Sequence, residues 1–451
     1  MLTPLEKIAF LILALGSLGY AGIGFRCVIK VIAGGKPAPR FDRLPQRILC
    51  SLWLVLTQQT LFKRRPLASL LHALIFYGFV YYFLVNVVDA LEGFFPWHAQ
   101  GGVWNPFNLL ADLLTGGVLV SITGLLLRRF VVRPADFVVV PDVTLHERAR
   151  GGISLDSSIV GAFIFFHVGS RLLSKSAQLA QEGYDPYQPL AGAFAGLLAG
   201  MGPGMLIGLQ HIFWWGALGS ILLFLPYFPR SKHIHLLMAP INLALRNERP
   251  GVLEPMDFEN EESFGAARLE DFSWPRLLDA YSCIMCNRCQ EVCPAYATGK
   301  PLSPAAILIS ERYELNRILS SYGKENSVSL PLLDFALSKE AAWACTTCNA
   351  CVEVCPVGNE QMLHIIDVRR ERVLMEADFP GQLKQAFNGM ERSGNPWTLP
   401  ADKRLEWAEK LPFRVPTTKE NPHPEVLYWV GCAASYDPRA QKIAASMAEI
   451  L

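Results

Sequence analysis

Five stretches of the chain stay apolar long enough to cross a bilayer: about Ile8 to Ile32, Leu67 to Leu91, Phe107 to Phe130, Ser157 to Ala180 and Gly204 to Phe228. Each approaches the ~20 residues a helix needs to cover the hydrocarbon core. The first is far longer than a secretory h-region and has no basic n-region, so it reads as an uncleaved span. Two shorter apolar pieces, Arg47 to Phe62 and Pro189 to Met201, read as interfacial or loop helices. Lys36, Arg40, Arg43, Arg47, Lys63, Arg64 and Arg65 lie between spans one and two, Arg133, Arg148 and Arg150 between three and four, and Arg230 and Lys232 after five. The loops Glu92 to Pro106 and Gln181 to Pro203 contain no Lys or Arg. Basic loops stay in the cytoplasm, so the pattern predicts a multi-pass protein of the cell's inner membrane, N-terminus outside and everything after span five inside. Trp97 and Trp104, with Tyr81 and Tyr82, fit an interfacial aromatic belt.

Beyond Phe228 the pattern changes. Pro226 and Pro229 close the last span, and Arg249 to Glu270 is an acidic linker (Glu254, Asp257, Glu259, Glu261, Glu262). From Trp274 to about Glu376 the text predicts short helices between cysteine loops, with Ala305 to Ile318 and Leu332 to Ala342 patterned as helices. Asp378 to Pro424 reads as irregular, and Val426 to Cys432 as a buried strand followed by a helix. The predicted organisation is a membrane part over 1–240, a linker over 241–272, a cysteine domain over 273–376, a second linker over 377–424 and the start of another domain over 425–451.

Composition agrees: hydrophobic residues make up 51% and charged ones 18%, which is apolar for a soluble protein. A formal net charge of +1 gives no reason to expect nucleic acid as a partner. Of eleven Cys, only Cys27 and Cys50 precede residue 283, eight crowd into two short runs, and Cys432 stands alone. Such clustering points to metal ligation in a reducing compartment rather than to disulfides.

The two runs are Cys283-x2-Cys286-x2-Cys289-x3-Cys293-Pro294 and Cys345-x2-Cys348-x2-Cys351-x3-Cys355-Pro356. Three thiolates at this spacing wrap one face of a cubane, while the fourth, followed by Pro, supplies the other cluster. One [4Fe-4S] cluster is therefore assigned to Cys283, Cys286, Cys289 and Cys355, and the second to Cys345, Cys348, Cys351 and Cys293. Zinc sites, the plainer alternative, pair two close ligands with a distant two, which is not this pattern.

Histidines inside spans carry the next signal, because an imidazole in lipid is costly unless paired or ligating. His72 enters early in span two, His167 lies near the centre of span four, and His211 lies in span five, with His233 and His235 just past it. A helix-to-helix hydrogen bond is the plain use of any one of them. As haem b ligands they sort by depth. At about 1.5 Å rise per residue, His167 is roughly 15 Å and His211 roughly 20 Å from the inner side, a pair for the outer half, and His72 is roughly 7 Å from it. His72 pairs with whichever of His233 and His235 turns inward; a continuous helix favours His233, since the 22 residues from His211 make about six turns, although Pro226 and Pro229 weaken that phase argument. Asp89, Glu92 and Asp112 read as ordinary loop or interface acids.

The 51 residues between Cys293 and Cys345, helical in pattern, resemble the α-helical ferredoxin domains of succinate dehydrogenase iron-sulfur subunits and heterodisulfide-reductase-like proteins. Over about residues 5 to 240 the topology and the His of spans two and five resemble the gamma subunit of respiratory nitrate reductase, a di-haem quinol-oxidising membrane protein. One departure is that the second His of span two in that family is Tyr82 here, so either His167 replaces it or there is one haem. Gly431-Cys432 after an apolar run resembles the opening of the CCG domain of heterodisulfide reductase, which holds a noncubane [4Fe-4S] cluster. The other Cys of such a domain are absent from the sequence, which on this likeness reads as a partial form without that cluster. A lone structural Cys is the ordinary alternative for Cys432. The order of the three parts most resembles the electron-transfer flavoprotein:menaquinone oxidoreductases.

The expected fold is mainly α: a five-helix transmembrane bundle, a cytoplasmic α-helical ferredoxin domain and the start of a CCG-type α/β domain. The resemblance implies electrons passing from a reduced electron-transfer flavoprotein, or a similar flavoprotein, through two cubanes and one or two b haems to menaquinone. A quinol-linked heterodisulfide or sulfur-carrier reductase is the nearest rival, and a non-catalytic membrane anchor the rival of another class. An ion transporter would want charged or broken-helix sites that Gly200 to Gly204 alone does not supply.

Overall fold

The computed structural model of the protein describes residues 2–321 and 328–451. Five helices are long and apolar enough to cross a membrane: α1 (Pro4–Ala33), α3 (Pro66–Phe94), α4 (Trp104–Val132), α5 (Glu147–Glu182) and α7 (Pro203–Phe224). Between them lie α2 (Leu44–Thr57) and α6 (Pro189–Leu198), the two shorter apolar helices. The spans thus fall where hydropathy puts them, the first three extended by a few residues, the fourth beginning ten residues earlier at Glu147 and the fifth ending at Phe224 rather than Phe228. The long helices leave large apolar side chains such as Leu15, Phe83 and Val120 exposed, at 72%, 72% and 69%. Water would penalise that surface and lipid does not. The protein is a multi-pass membrane protein.

Several charged groups inside the bundle are paired, which a medium without water favours. Arg171 Nε donates to Asp89 Oδ2 at 2.7 Å, and Lys175 Nζ reaches Glu92 Oε2 at 2.6 Å and Asp89 Oδ1 at 3.4 Å. Asp112 caps α6, accepting from the Leu190 and Ala191 amides at 2.6 and 3.0 Å. Of the loop and interface roles open to these acids, all three take the interface one, Asp89 and Asp112 buried and Glu92 half-buried. Small residues bring α5 and α7 together: a Cβ on Gly216 would lie 2.7 Å from Ser170 Oγ.

α7 contains a π-helical turn at Trp215–Gly219 and ends at Phe224; two 3-10 turns, Phe228–Arg230 and Lys232–Ile234, lead into α8 (His235–Leu245). The prolines break the helix, so phase counted from His211 does not carry to His233. α9 (Trp274–Ser282) opens the cysteine domain, α10 (Pro304–Ser321) backs it, and α11 (Gln361–Leu374) closes it. The stretch Leu332 to Ala342, patterned as one helix, is two short ones, because Ser338 Oγ accepts from the Ala341 amide at 3.1 Å and starts a new turn.

The cysteine domain has no core separate from the membrane part. Phe272, Leu277, Tyr281, Ile307 and Ile365 pack in one cluster with Val28 of α1 and Ile234 and Met238 at α8. Polar bonds repeat the connection: Asn242 of α8 donates to Asp279 Oδ1 at 2.9 Å and to Val357 O at 3.1 Å, and Arg276 reaches Glu360 at 3.2 Å, as does Arg40 at 3.6 Å. Gly35 lies so close to the Ser273–Trp274 backbone that a Cβ would fall 2.6 Å from Trp274 N, beside the Lys36 amide bond to Phe272 O at 2.8 Å. Residues up to Glu371 accordingly form one compact unit.

A second unit runs from Arg372 to Leu451. It holds α12 (Gln382–Ser393), a 3-10 helix at Ala401–Ala408 and α13 (Pro438–Ile450), so the stretch expected to be irregular is partly helical. Val426 to Cys432 is not a buried strand. It pairs with nothing among the described residues, and Val426, Leu427 and Trp429 are exposed. An apolar run becomes a strand only against a ladder partner, and the described residues supply none.

One buried group makes the seam pH-dependent. His364 Nδ1 lies 3.0 Å from Glu311 Oε1 and Nε2 3.4 Å from Asp279 Oδ2. Burial works to lower its pKa, but the Glu311 and Asp279 carboxylates outweigh burial and raise it to about 9. A value above the ordinary 6.5 means the imidazolium's contribution is complete below about pH 6.5 and is lost as pH rises through about 9. Relative to the parent, His364→Gln is expected to lose roughly 1–3 kcal/mol at pH 6, with the deficit shrinking by pH 10. Thermal unfolding of the detergent-solubilised protein across that range checks this; an equal deficit at both ends refutes it.

Candidate redox centres

The two cysteine loops have the same backbone. Met285 and Asn287 flank Cys286 with φ of 53° and 60°, and Thr347 and Asn349 flank Cys348 with φ of 53° and 64°. Left-handed residues on both sides of the middle cysteine turn successive amides toward one concave side, the geometry that receives anionic clusters. A concavity partly open to solvent is lined by Cys283, Cys286, Cys289 and Cys355 together with Arg288. The charge of Cys283 interacts with those of Cys286 and Cys355, and the charge of Cys293 with those of Cys345 and Cys348; Cys351 joins the latter set. Each last cysteine thus lies with the three of the other motif. Cys289 also feels Cys351, so the two sets are neighbours.

Burial, reinforced by the other thiols, pushes Cys283, Cys351 and Cys355 up to about 12. Thiolates at these positions therefore need a cation among them, which iron supplies. Amides of Thr347 and Asn359 point at Cys345 Sγ and Cys355 Sγ at 3.4 and 3.3 Å, the bonds that tune such clusters. Cys348 is exposed, while Cys283 and Cys289 are buried.

The first set is tied to the bundle. Arg65, the residue before α3, donates from Nη1 to Cys286 O at 2.8 Å and pairs with Glu291 at 2.6 Å. Arg288 Nη2 donates to Ser69 Oγ and Arg64 O at 3.1 and 3.2 Å. Ser69 lies one turn before His72 on α3, and the charges of Arg288 and His72 interact.

His72, His233 and His235 come together. His233 and His72 interact electrostatically, and the rings of His233 and His235 are 6.1 Å apart. Nδ1 of His72 and of His233 is buried and without a hydrogen-bond partner. His235 Nδ1 donates to Lys232 O at 2.6 Å, leaving its Nε2 as the free nitrogen. Burial, then Lys232, holds His233 down to about 3, and burial holds His235 well below 6.5. Neutral imidazoles with unengaged nitrogens suit a metal. The other two histidines have separate neighbours. His167 Nδ1 bonds to Ala217 O at 3.0 Å, with its ring edge-on to Tyr82 at 5.7 Å. His211 Nδ1 pairs with Glu6 at 2.9 Å. The structure does not gather His167 and His211 into one site. In the second unit, Cys432 Sγ accepts from Arg404 Nη2 at 3.5 Å and lies 3.7 Å from Gly394 O.

With eight thiols in two interleaved sets, the comparison with known families is decisive. Residues 279–359 match the family described as 4Fe-4S dicluster domain. The chain is 31% identical over 91% of its length to a probable iron-sulfur-binding oxidoreductase, FadF, of Bacillus subtilis, covering 63% of that protein. It is 29% identical, over 91% of its length and 61% of the relative's, to an EtfAB:quinone oxidoreductase of Syntrophomonas wolfei. It also resembles, at 28% identity over 38% of its length and 41% of the relative's, one chain of the dihydromethanophenazine:CoB–CoM heterodisulfide reductase of Methanosarcina barkeri. The chain spans about three fifths of the length of the first two relatives. No solved structure matches it.

Sequence reasoning missed the residues that join the dicluster domain to the bundle: Arg65, Ser69 and Arg288. One signal was available. The two motifs repeat closely, yet Arg288 of the first stands where the second has Ala350, and an Arg in one copy only marks something that copy alone must meet.

The interleaving has a direct test in paired substitutions. Cys293→Ser with Cys345→Ser is expected to cost one cluster's iron and acid-labile sulfide, because the interleaved arrangement assigns both thiols to one cubane. Cys293→Ser with Cys283→Ser is expected to cost both. Ligation within each motif predicts the opposite ranking in iron and sulfide analysis.

Proposed function

We propose that the protein is a membrane electron-transfer oxidoreductase carrying electrons from a reduced flavoprotein on the cytoplasmic side, through two [4Fe-4S] clusters and one b-type haem, to menaquinone. The observation that carries this reading is the adjacency of the first thiol set and the His72, His233 and His235 group, with Arg288 between them. Cys283, Cys286, Cys289 and Cys355 hold one cubane, Cys345, Cys348, Cys351 and Cys293 the other, and His72 with His233 the haem, His235 standing beside it. When bound, these groups take up and release single electrons. The chain's own work is placement: Arg65 and Arg288 hold the first loop against α3, and the buried seam around Asp279 fixes α8 and α9.

Cys348 of the second set is exposed whereas no thiol of the first set is, which supports the second set receiving electrons and the first delivering them to the membrane. Likeness to an EtfAB:quinone oxidoreductase supports a flavoprotein donor and a quinone acceptor, and the basic loops support a cytoplasmic dicluster domain. A second haem would have to draw on His167 and His211, whose different neighbours favour the single-haem reading. The likeness to a heterodisulfide reductase chain favours a second reading, in which quinol electrons flow outward to a disulfide.

A reduced-minus-oxidised optical spectrum tests the proposal. The parent is expected to show a b-type haem that disappears in His72→Ala and persists in His167→Ala and His211→Ala. Reduced electron-transfer flavoprotein is expected to reduce clusters and haem, with reoxidation by a menaquinone analogue. Haem loss in the His167 or His211 variants but not in the His72 variant refutes the site, and reoxidation by a disulfide rather than the quinone favours the second reading.

A further inference from the structure

Two guanidinium groups lie between the first thiol set and the three histidines, and neither has an anion. Arg288 is 5% exposed and Arg312 only 1%. Arg288 donates to Arg64 O and Ser69 Oγ. Arg312 Nη1 donates to Tyr281 O at 3.0 Å, Nη2 donates to Ser231 O, and its guanidinium lies over the Tyr281 ring at 5.5 Å. All these acceptors are neutral, and Nε of both arginines is buried without a partner. The carboxylates that influence them, Glu291 and Asp156, are engaged elsewhere: Glu291 with Arg65, and Asp156 with Tyr227 OH at 2.5 Å and the Lys232 amide at 2.9 Å.

A buried, unpaired charge is strongly destabilising by itself, so each of these two calls for a negative group that the protein chain does not provide. Each arginine has a thiol on one side and a histidine on the other. Arg288 interacts with Cys286 and His72, and Arg312 with Cys283 and His235. A cubane with four thiolates is anionic in its working states, and haem brings two propionates.

We propose that Arg288 and Arg312 are positioning residues whose buried guanidinium groups balance the negative charge of the first cubane and the haem edge, holding the two groups as neighbours and favouring their reduced forms. The inference rests on the reading that these sites hold a cubane and a haem. The transfer it serves is one electron from the reduced cubane to the ferric haem, with no proton moved. Removing either positive charge makes reduction harder at the first cubane and the haem and leaves the second cubane unaffected.

The test is a redox titration of the full chain in detergent, following clusters by electron paramagnetic resonance and haem by absorbance. In Arg288→Gln and Arg312→Gln, the ratio of reduced to oxidised first cubane at the parent's midpoint is expected to fall about tenfold, which for one electron is about 59 mV. The second cubane keeps its potential, and Arg288→Lys and Arg312→Lys recover most of the change. Full cofactor content with all potentials unchanged in both glutamine variants overturns the proposal. If the glutamine variants lose cofactors, the lysine variants decide: retention with near-parent potentials supports the charge, and equal loss overturns it in favour of shape. A parent protein with zinc in place of iron, or without haem, would instead remove the underlying reading together with this inference.

Discussion

The constraint on which the rest of the structure depends is that the dicluster domain has no independent core. Val28 from the first span, Ile234 and Met238 share one apolar cluster with Phe272, Tyr281 and Ile365, and Asn242 is hydrogen-bonded into the cysteine domain through Asp279 and Val357. An electron carrier works only if its centres keep fixed separations, and a domain on a flexible tether would not keep them. Here the same buried contacts that fold α9 also hold Cys283 near the membrane end of the bundle.

The two ends of the bundle treat charge differently. At the end away from the dicluster domain, Arg171, Lys175, Asp89 and Glu92 neutralise one another. Such a set costs desolvation, and what it returns is orientation of α3 against α5 rather than net stability. At the dicluster end, Arg288 and Arg312 are buried with neutral acceptors alone. The contrast is between carboxylate partners at one end and backbone or hydroxyl acceptors at the other.

Much of this was legible in the chain because it was local. Spans are runs of apolar residues, and cluster ligands are spelled by their spacing, so Cys283 to Cys293 and Cys345 to Cys355 needed no tertiary information. The paired sets of histidines were only half legible. Depth along a helix brought His72 near His233, but it also paired His167 with His211, whose side chains turn instead to Ala217 and Glu6. Depth says nothing of rotation about the helix axis, and rotation decides partners. The helix Gln382–Ser393 has Leu383, Phe387 and Met390 on one stripe, a period hidden by the prolines around it. Arg312 lies in an ordinary helix of the spacer, and its importance exists only in three dimensions.

Tyr82 is fully accommodated by its neighbours in the bundle. Tyr82 OH lies 2.5 Å from Thr115 Oγ1, and its ring receives the edge of His167 and the guanidinium of Arg171. A phenol buried in a span needs a hydrogen-bond partner and an aromatic or cationic neighbour to justify its place, and it has all three. That site is therefore satisfied by the protein alone. His72 and His233, by contrast, each keep a buried ring nitrogen without a hydrogen-bond partner. These unsatisfied nitrogens lie at the dicluster end of the bundle, as do Arg288 and Arg312 with their unpartnered Nε atoms.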